Sequence, residues 1–178
     1  MSYESVKAVV TEYGIAKATF HDKMKNAFND IFKTFFNLYP EIEAVAWNQY
    51  TPYFNDGEPC VFGVGDLFGL SKSSDEDFDV DDISSAYDLE YRTFPYDIKP
   101  SDFKYANRHK YPSYEADIQA YEKCVAENPR YEVICEGWKE LKDILASIPD
   151  EIYENAFDDH VTVIATKNGI ITKEYDHD

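Results

Sequence analysis

The 178-residue sequence predicts an α+β fold: an antiparallel sheet made from two β-hairpins, at about 43–68 and 161–176, packed against a long N-terminal helix and two or three further helices. Three observations carry this. Met24, Ala27, Phe28, Ile31, Phe32, Phe35, Phe36 and Tyr39 recur at three- and four-residue steps, the period of one helical face. Lys167-Asn168-Gly169 separates two β-rich runs, VTVIAT and IITKEY, and Asn-Gly in that setting marks a tight hairpin. The segments between them alternate in character, with no internal repeat and no long linker.

The elements follow in order. A second stripe, Val6, Val9/Val10, Tyr13, Ala16 and Phe20, extends the helical pattern upstream. The pattern fits one helix over about 3–38 or two helices broken near Gly14. Pro40 ends it, because the residue before a proline resists the helical region. Glu43–Tyr50 reads as a strand and Cys60–Phe68 as its partner. Thr51-Pro52 and Asn55-Asp56-Gly57 provide the turns between them. In the partner strand Cys60, Phe62 and Val64 fall on one side, and Gly63 and Gly65 leave the other smooth, as expected where something approaches closely. A helix through Tyr114, Ile118, Tyr121 and Val125 ends before Asn128-Pro129, which caps and opens another with the stripe Ile134, Trp138, Leu141, Leu145, Ile148. Pro149-Asp150-Glu151 begins a short helix over 149–156. The whole reads as a single domain, 1–178, with an acidic and aromatic loop-rich insert at about 70–113.

Charge is the strongest functional signal. The net charge is −18, and two windows supply −14 of it. Residues 73–91 hold Asp75, Glu76, Asp77, Asp79, Asp81, Asp82, Asp88 and Glu90 with no Lys or Arg. Residues 150–178 hold eight acids against Lys167 and Lys173. Such a field argues against direct binding of double-stranded DNA or acidic lipid, and favours a protein partner with a basic surface. No apolar run reaches the roughly 18 residues of a membrane span, so no membrane association is expected. The N-terminus lacks the features of a signal peptide, and Cys60, Cys124 and Cys135 lack metal-ligand spacing. Reduced, buried thiols in a cytoplasm are therefore expected.

Candidate site residues fall into three groups. Asp75, Glu76, Asp77, Asp79, Asp81 and Asp82 form a partner-docking surface or a solvated loop. A calcium loop is disfavoured because Val80 stands where glycine is needed and Ala86 where the bidentate Glu belongs. In WNQYTPYFNDGEPC, residues 47–60, Tyr50, Tyr53, Phe54 and Asn55 line a pocket with Asn48 and Gln49 supplying hydrogen bonds. Alternatively, Trp47 and Phe54 plug the core while the turns fix register. Arg92, Lys104, Tyr105 and Arg108 interleave cations with rings, as a nucleotide or other small anion would require, unless the upstream carboxylates neutralise them. The common phosphate-binding, zinc-protease and hydrolase motifs are absent, so no catalytic residue, metal or cofactor is expected. Asp158-Asp159-His160 reads as a cap between helix and strand.

The core W-x-Q-Y-T-P-Y-F-N-D-G, with its continuation to Val64, resembles small uncharacterised proteins of tailed bacteriophages and bacteria. The resemblance covers residues 47–64 and implies a phage or bacterial cytoplasmic setting, with no activity or site residue attached. The expected function is an accessory protein that binds, and in that way inhibits, a protein partner. Alternatives are a protein that binds or sequesters a nucleotide, and an enzyme without a recognisable motif. A homo-oligomer is compatible with the apolar N-terminal helix.

Overall fold

A computed structural model describes residues 3–54, 56–71, 78–90, 94, 96, 122–123 and 125–176. The fold is α+β. Helix α1 (Tyr3–Leu38) is continuous through Gly14, about 54 Å long at 1.5 Å per residue. It leads into β1 (Ile42–Tyr50), and the turn is fixed by Arg130, whose guanidinium donates to the Leu38 carbonyl (2.6 Å) and pairs with Glu41 (2.7 Å). A cation on the last carbonyls of a helix complements its dipole.

The partner of β1 is one interrupted strand, β2 (Gly63–Val64) and β3 (Phe68–Ser71), displaced toward the C-terminus of the predicted 60–68. The register with β1 shifts by one residue between them, from Gln49 opposite Val64 to Ala46 opposite Phe68. Gly65 still keeps the β2 register: its N–H donates to the Asn48 carbonyl (2.8 Å), and a Cβ there would stand 3.0 Å from that oxygen. Cys60 and Val61 lie outside the sheet and are exposed, so Cys60 is not the buried thiol that the sequence suggests. Cys135 is half-buried, and Cys124 lies outside the described residues.

On the other side of β1 runs β4 (Val161–Thr166), then β5 (Gly169–Glu174), all antiparallel. The Asn-Gly hairpin and the shared sheet are as the sequence predicts. Helix α2 is the short Tyr87–Glu90. Helix α3 (Tyr131–Ala146) has Arg130, not the expected Asn128, as its N-cap, so Pro129 lies before the helix; the Asn128 side chain accepts from Arg130 N–H (2.9 Å) in the turn ahead of it, and α4 covers Asp150–Phe157.

The two faces of the sheet are packed differently. On one, Val45, Trp47 and Val163 meet Phe28, Phe32, Phe35 and Phe36 of α1, Trp138 and Leu141 of α3, and Tyr153 and Phe157 of α4. A register shift between Ile42 and Ala44 turns Ile42 to this side too, which is what a β-bulge does to strand parity. Phe94 and Tyr96 also belong to this core. The Phe94 ring packs on Trp138 (centroids 4.7 Å apart) and covers Gly69, where a Cβ would lie 2.4 Å from it. These two rings of the aromatic insert therefore serve packing.

The second face is also covered. Ala44, Ala46 and Ile164 lie beneath Ile83, Ala86 and Leu89, with Leu70 completing the layer. The acidic window thus supplies a structural layer over 78–90, because three small or aliphatic side chains in it are fully buried.

Candidate functional site

Asn48 organises the end of the sheet nearest this layer. Its Oδ1 accepts from Ala86 N–H (2.9 Å) and from the Thr162 hydroxyl (2.8 Å), and its Nδ2 donates to Ser85 Oγ (3.0 Å). Gln49, one residue on, faces the helices. Its amide donates to the Asp158 carbonyl (2.6 Å) and the Tyr153 carbonyl (3.2 Å), and its oxygen accepts from Trp47 Nε1 (3.1 Å). Both side chains are buried and used internally, which corrects their reading as ligand-facing groups. Phe54 is 78% exposed and does not plug the core, whereas Trp47 does.

Around Asn48 stand three phenols. The Tyr50 and Tyr175 rings lie 5.4 Å apart, and Tyr87 stands 6.3 Å from Tyr175. Burial, then the neighbouring Tyr87 and Tyr50, raise the Tyr175 hydroxyl above its ordinary range; a hydrogen bond with Asn48 opposes this. The Tyr175 backbone N–H reaches the His160 carbonyl (2.8 Å), so the loop before β4 belongs to the same end of the sheet.

That loop is strained. Asp158 has φ 71° and ψ 173°, a region essentially reserved for glycine, and His160 has φ 55°. Gln49 holds the Asp158 carbonyl, and Asp159 Oδ1 accepts from Thr51 N–H (2.7 Å) and His160 N–H (2.8 Å). Burial pushes the Asp159 carboxyl up, but hydrogen bonds from Thr51 and His160 and the nearby imidazole outweigh it, leaving the group below its ordinary range. The exposed Tyr53 ring stacks on His160, centroids 4.8 Å apart and planes 14° from parallel.

The acids of 78–90 divide by use. Asp79 and Asp82 form a reciprocal capping box on the 3-10 turn Val80–Asp82, and Asp88 accepts from both Ser84 N–H (2.8 Å) and Ser85 N–H (2.9 Å). Lys173 donates from β5 to the carbonyls of Asp81 (3.0 Å) and Ile83 (2.6 Å), tying the segment down through its backbone. The carboxylates of Asp79, Asp81 and Asp82 are exposed, and among the described residues none of them is in an ion pair.

No family model, curated protein or solved structure matches this chain. The site therefore rests on its own geometry. That geometry brings Tyr50 and Tyr53 to one end of the sheet, and sets Asp79, Asp81 and Asp82 on the segment that carries Tyr87. Asn55, Asp75, Glu76, Asp77, Arg92, Lys104, Tyr105 and Arg108 lie outside the described residues. Sequence reasoning missed Tyr87 and Tyr175, and read His160 only as part of a cap. The Asn-Gly hairpin was the usable signal: continuing its register past Glu174 sets Tyr175 beside His160. Among the described residues, no group of three or more His, Cys, Asp or Glu could hold a metal ion, and no helix is long and apolar enough to cross a membrane.

Proposed function

We propose that this chain is a phage or bacterial accessory protein that binds a protein partner with a basic surface, using the face formed by the 78–90 segment and the adjoining tyrosines. One observation carries the reading: exposed carboxylates at Asp79, Asp81 and Asp82 share a short segment with Tyr87, and that segment is anchored through Ile83, Ala86 and Leu89 rather than left loose. Acidic groups on a fixed backbone give long-range attraction for a basic groove without the entropy cost of ordering a free loop. Tyrosines add rigid contact area with a polar tip, the chemistry of interface anchors. Occupying a groove that otherwise takes a phosphate backbone would inhibit such a partner.

Affinity capture from bacterial lysate at low and high salt tests this, with an Asp79→Asn/Asp81→Asn/Asp82→Asn variant and a Tyr87→Ala/Tyr175→Ala variant as controls. The expected result is a basic partner that is retained at low salt, shed as salt rises and lost with either variant. Capture indifferent to all five substitutions would defeat the reading. A second reading, a small-anion or nucleotide binder, is favoured by the exposed Tyr53 ring stacked on His160. It predicts thermal stabilisation by nucleotide, following RT ln(1 + [L]/Kd), that disappears in Tyr53→Ala.

A further inference from the structure

The first half of α1 is open to solvent. Every residue from 3 to 20 is exposed, and burial begins only in the second half, at Phe28. This arm is a poor helix on its own terms. It contains Gly14 and the β-branched Val6, Val9, Val10, Thr11, Ile15 and Thr19, against the alanines Ala8, Ala16 and Ala18. Isolated helices of this length are marginal even with favourable sequences, so its helicity calls for packing against something.

The pattern on the arm identifies what that is. Val6, Val9, Tyr13, Ala16 and Phe20 alternate at three and four residues, the spacing of a two-stranded coiled-coil seam, with Val10 beside it. At about 100° per residue, this seam is turned roughly 100° around the helix from the Phe28, Phe32, Phe35 and Phe36 stripe that meets the sheet. The seam is therefore a separate face. With Val6 and Tyr13 as equivalent seam positions, Glu12 and Lys17 occupy the two flanking positions that face each other across a parallel, in-register pair. A symmetric pair forms this contact twice; antiparallel pairing forms it in neither of its registers.

Charge and area agree. Residues 3–25 carry four lysines against three acids, in a chain whose net charge is −18, so this is a stretch along which two copies can approach without strong mutual repulsion. Val6, Val9, Val10, Tyr13 and Phe20 are 48–66% exposed. Over two copies their exposed surface comes to roughly 1,000 Å², the lower bound for a specific interface. We propose that the N-terminal arm of α1 pairs with the same arm of a second copy as a parallel two-stranded coiled coil, making the protein a homodimer.

Sedimentation and cross-linking of the full chain test this. The wild-type protein should sediment as a concentration-dependent dimer. Val9→Glu, at an exposed site of the monomer, should weaken dimerisation at least about tenfold by burying a charge in the seam, with circular dichroism retaining the sheet and body helices. Lys17→Glu should weaken it less, and Glu12→Lys combined with Lys17→Glu should restore it. In a background with all three native cysteines changed to serine, Val9→Cys should oxidise to a covalent dimer, because equivalent seam positions meet only in a parallel pair. A chain that stays monomeric at 100-fold above working concentration, a dimer indifferent to Val9→Glu, or a dimer that Val9→Cys cannot cross-link would each overturn the proposal.

Discussion

The two faces of the sheet are built from opposite kinds of residue. On the helical face, large rings interlock: Trp47 stacks on Phe32 with centroids 5.8 Å apart and meets Tyr153 and Phe157 edge-on at 5.9 and 5.6 Å. On the other face, Ala44 and Ala46 leave the strand nearly smooth, and the 78–90 segment lies close over it. The first face carries the burial that holds the chain folded. The second is held as much by hydrogen bonds to Asn48 and Lys173 as by apolar contact. A sheet with one heavy and one light face can present a shaped, charged surface on the light side while the heavy side supplies stability.

The largest effect that separates them is expected at Trp47. Trp47→Ala removes a side chain that is 1% exposed and leaves Gln49 Oε1 without its indole donor. The loss should be about 3–5 kcal/mol in urea denaturation, and it should be global. A loss below about 1 kcal/mol would mean that the aromatic stack is not the principal support.

Asn48→Ala addresses the light face. It strands the buried Ala86 N–H and the Thr162 hydroxyl without an acceptor, at a cost of about 1–3 kcal/mol. Amide exchange should accelerate at Ile83–Leu89 well before it changes in α3 or α4. Uniform acceleration would show that the two layers open as one unit.

Much of the heavy face was legible in the sequence. The α1 and α3 stripes and the Asn-Gly hairpin are periodic or local signals, and periodicity survives folding. The light face was not, because its determinants are small residues and side-chain hydrogen bonds between distant segments. Nothing near Asp79–Asp88 announces that Ile83 and Leu89 bury themselves on Ala44 and Ala46, 40 residues away. The partner strand was displaced for a related reason: its register on β1 shifts by one residue between Val64 and Phe68, which alternation cannot encode. Of the candidate site, the tyrosines of 50–53 and the acids of 79–82 were visible as composition, but not the corner at Asp158–His160, whose geometry depends on Gln49 and Thr51 reaching across from β1 and its loop.

That corner gives the next effect in size, with the opposite sign. Asp158 holds a backbone conformation that suits glycine, and its carbonyl, not its side chain, is what Gln49 grips. Asp158→Gly should therefore raise stability, by about 1 kcal/mol, once the added freedom of the unfolded chain is deducted. A destabilised variant would show that the aspartate side chain has a structural role of its own.

The smallest effect is electrostatic and lies at Asp159. Its carboxyl is below its ordinary range in the folded chain, so its contribution is complete above the unfolded-state value, about 4, and is lost as pH falls through the lower folded value. Asp159→Asn keeps an oxygen that can accept from Thr51 N–H and removes the charge. Because the site is partly open to solvent, screening keeps the difference between the two proteins small. The urea midpoints of wild type and variant, followed against pH, should differ at about pH 5 and converge as pH falls below about 4. A gap that persists unchanged into strong acid would assign the effect to hydrogen-bond geometry instead, and the Asp159 charge would have no part in closing the corner between α4 and β4.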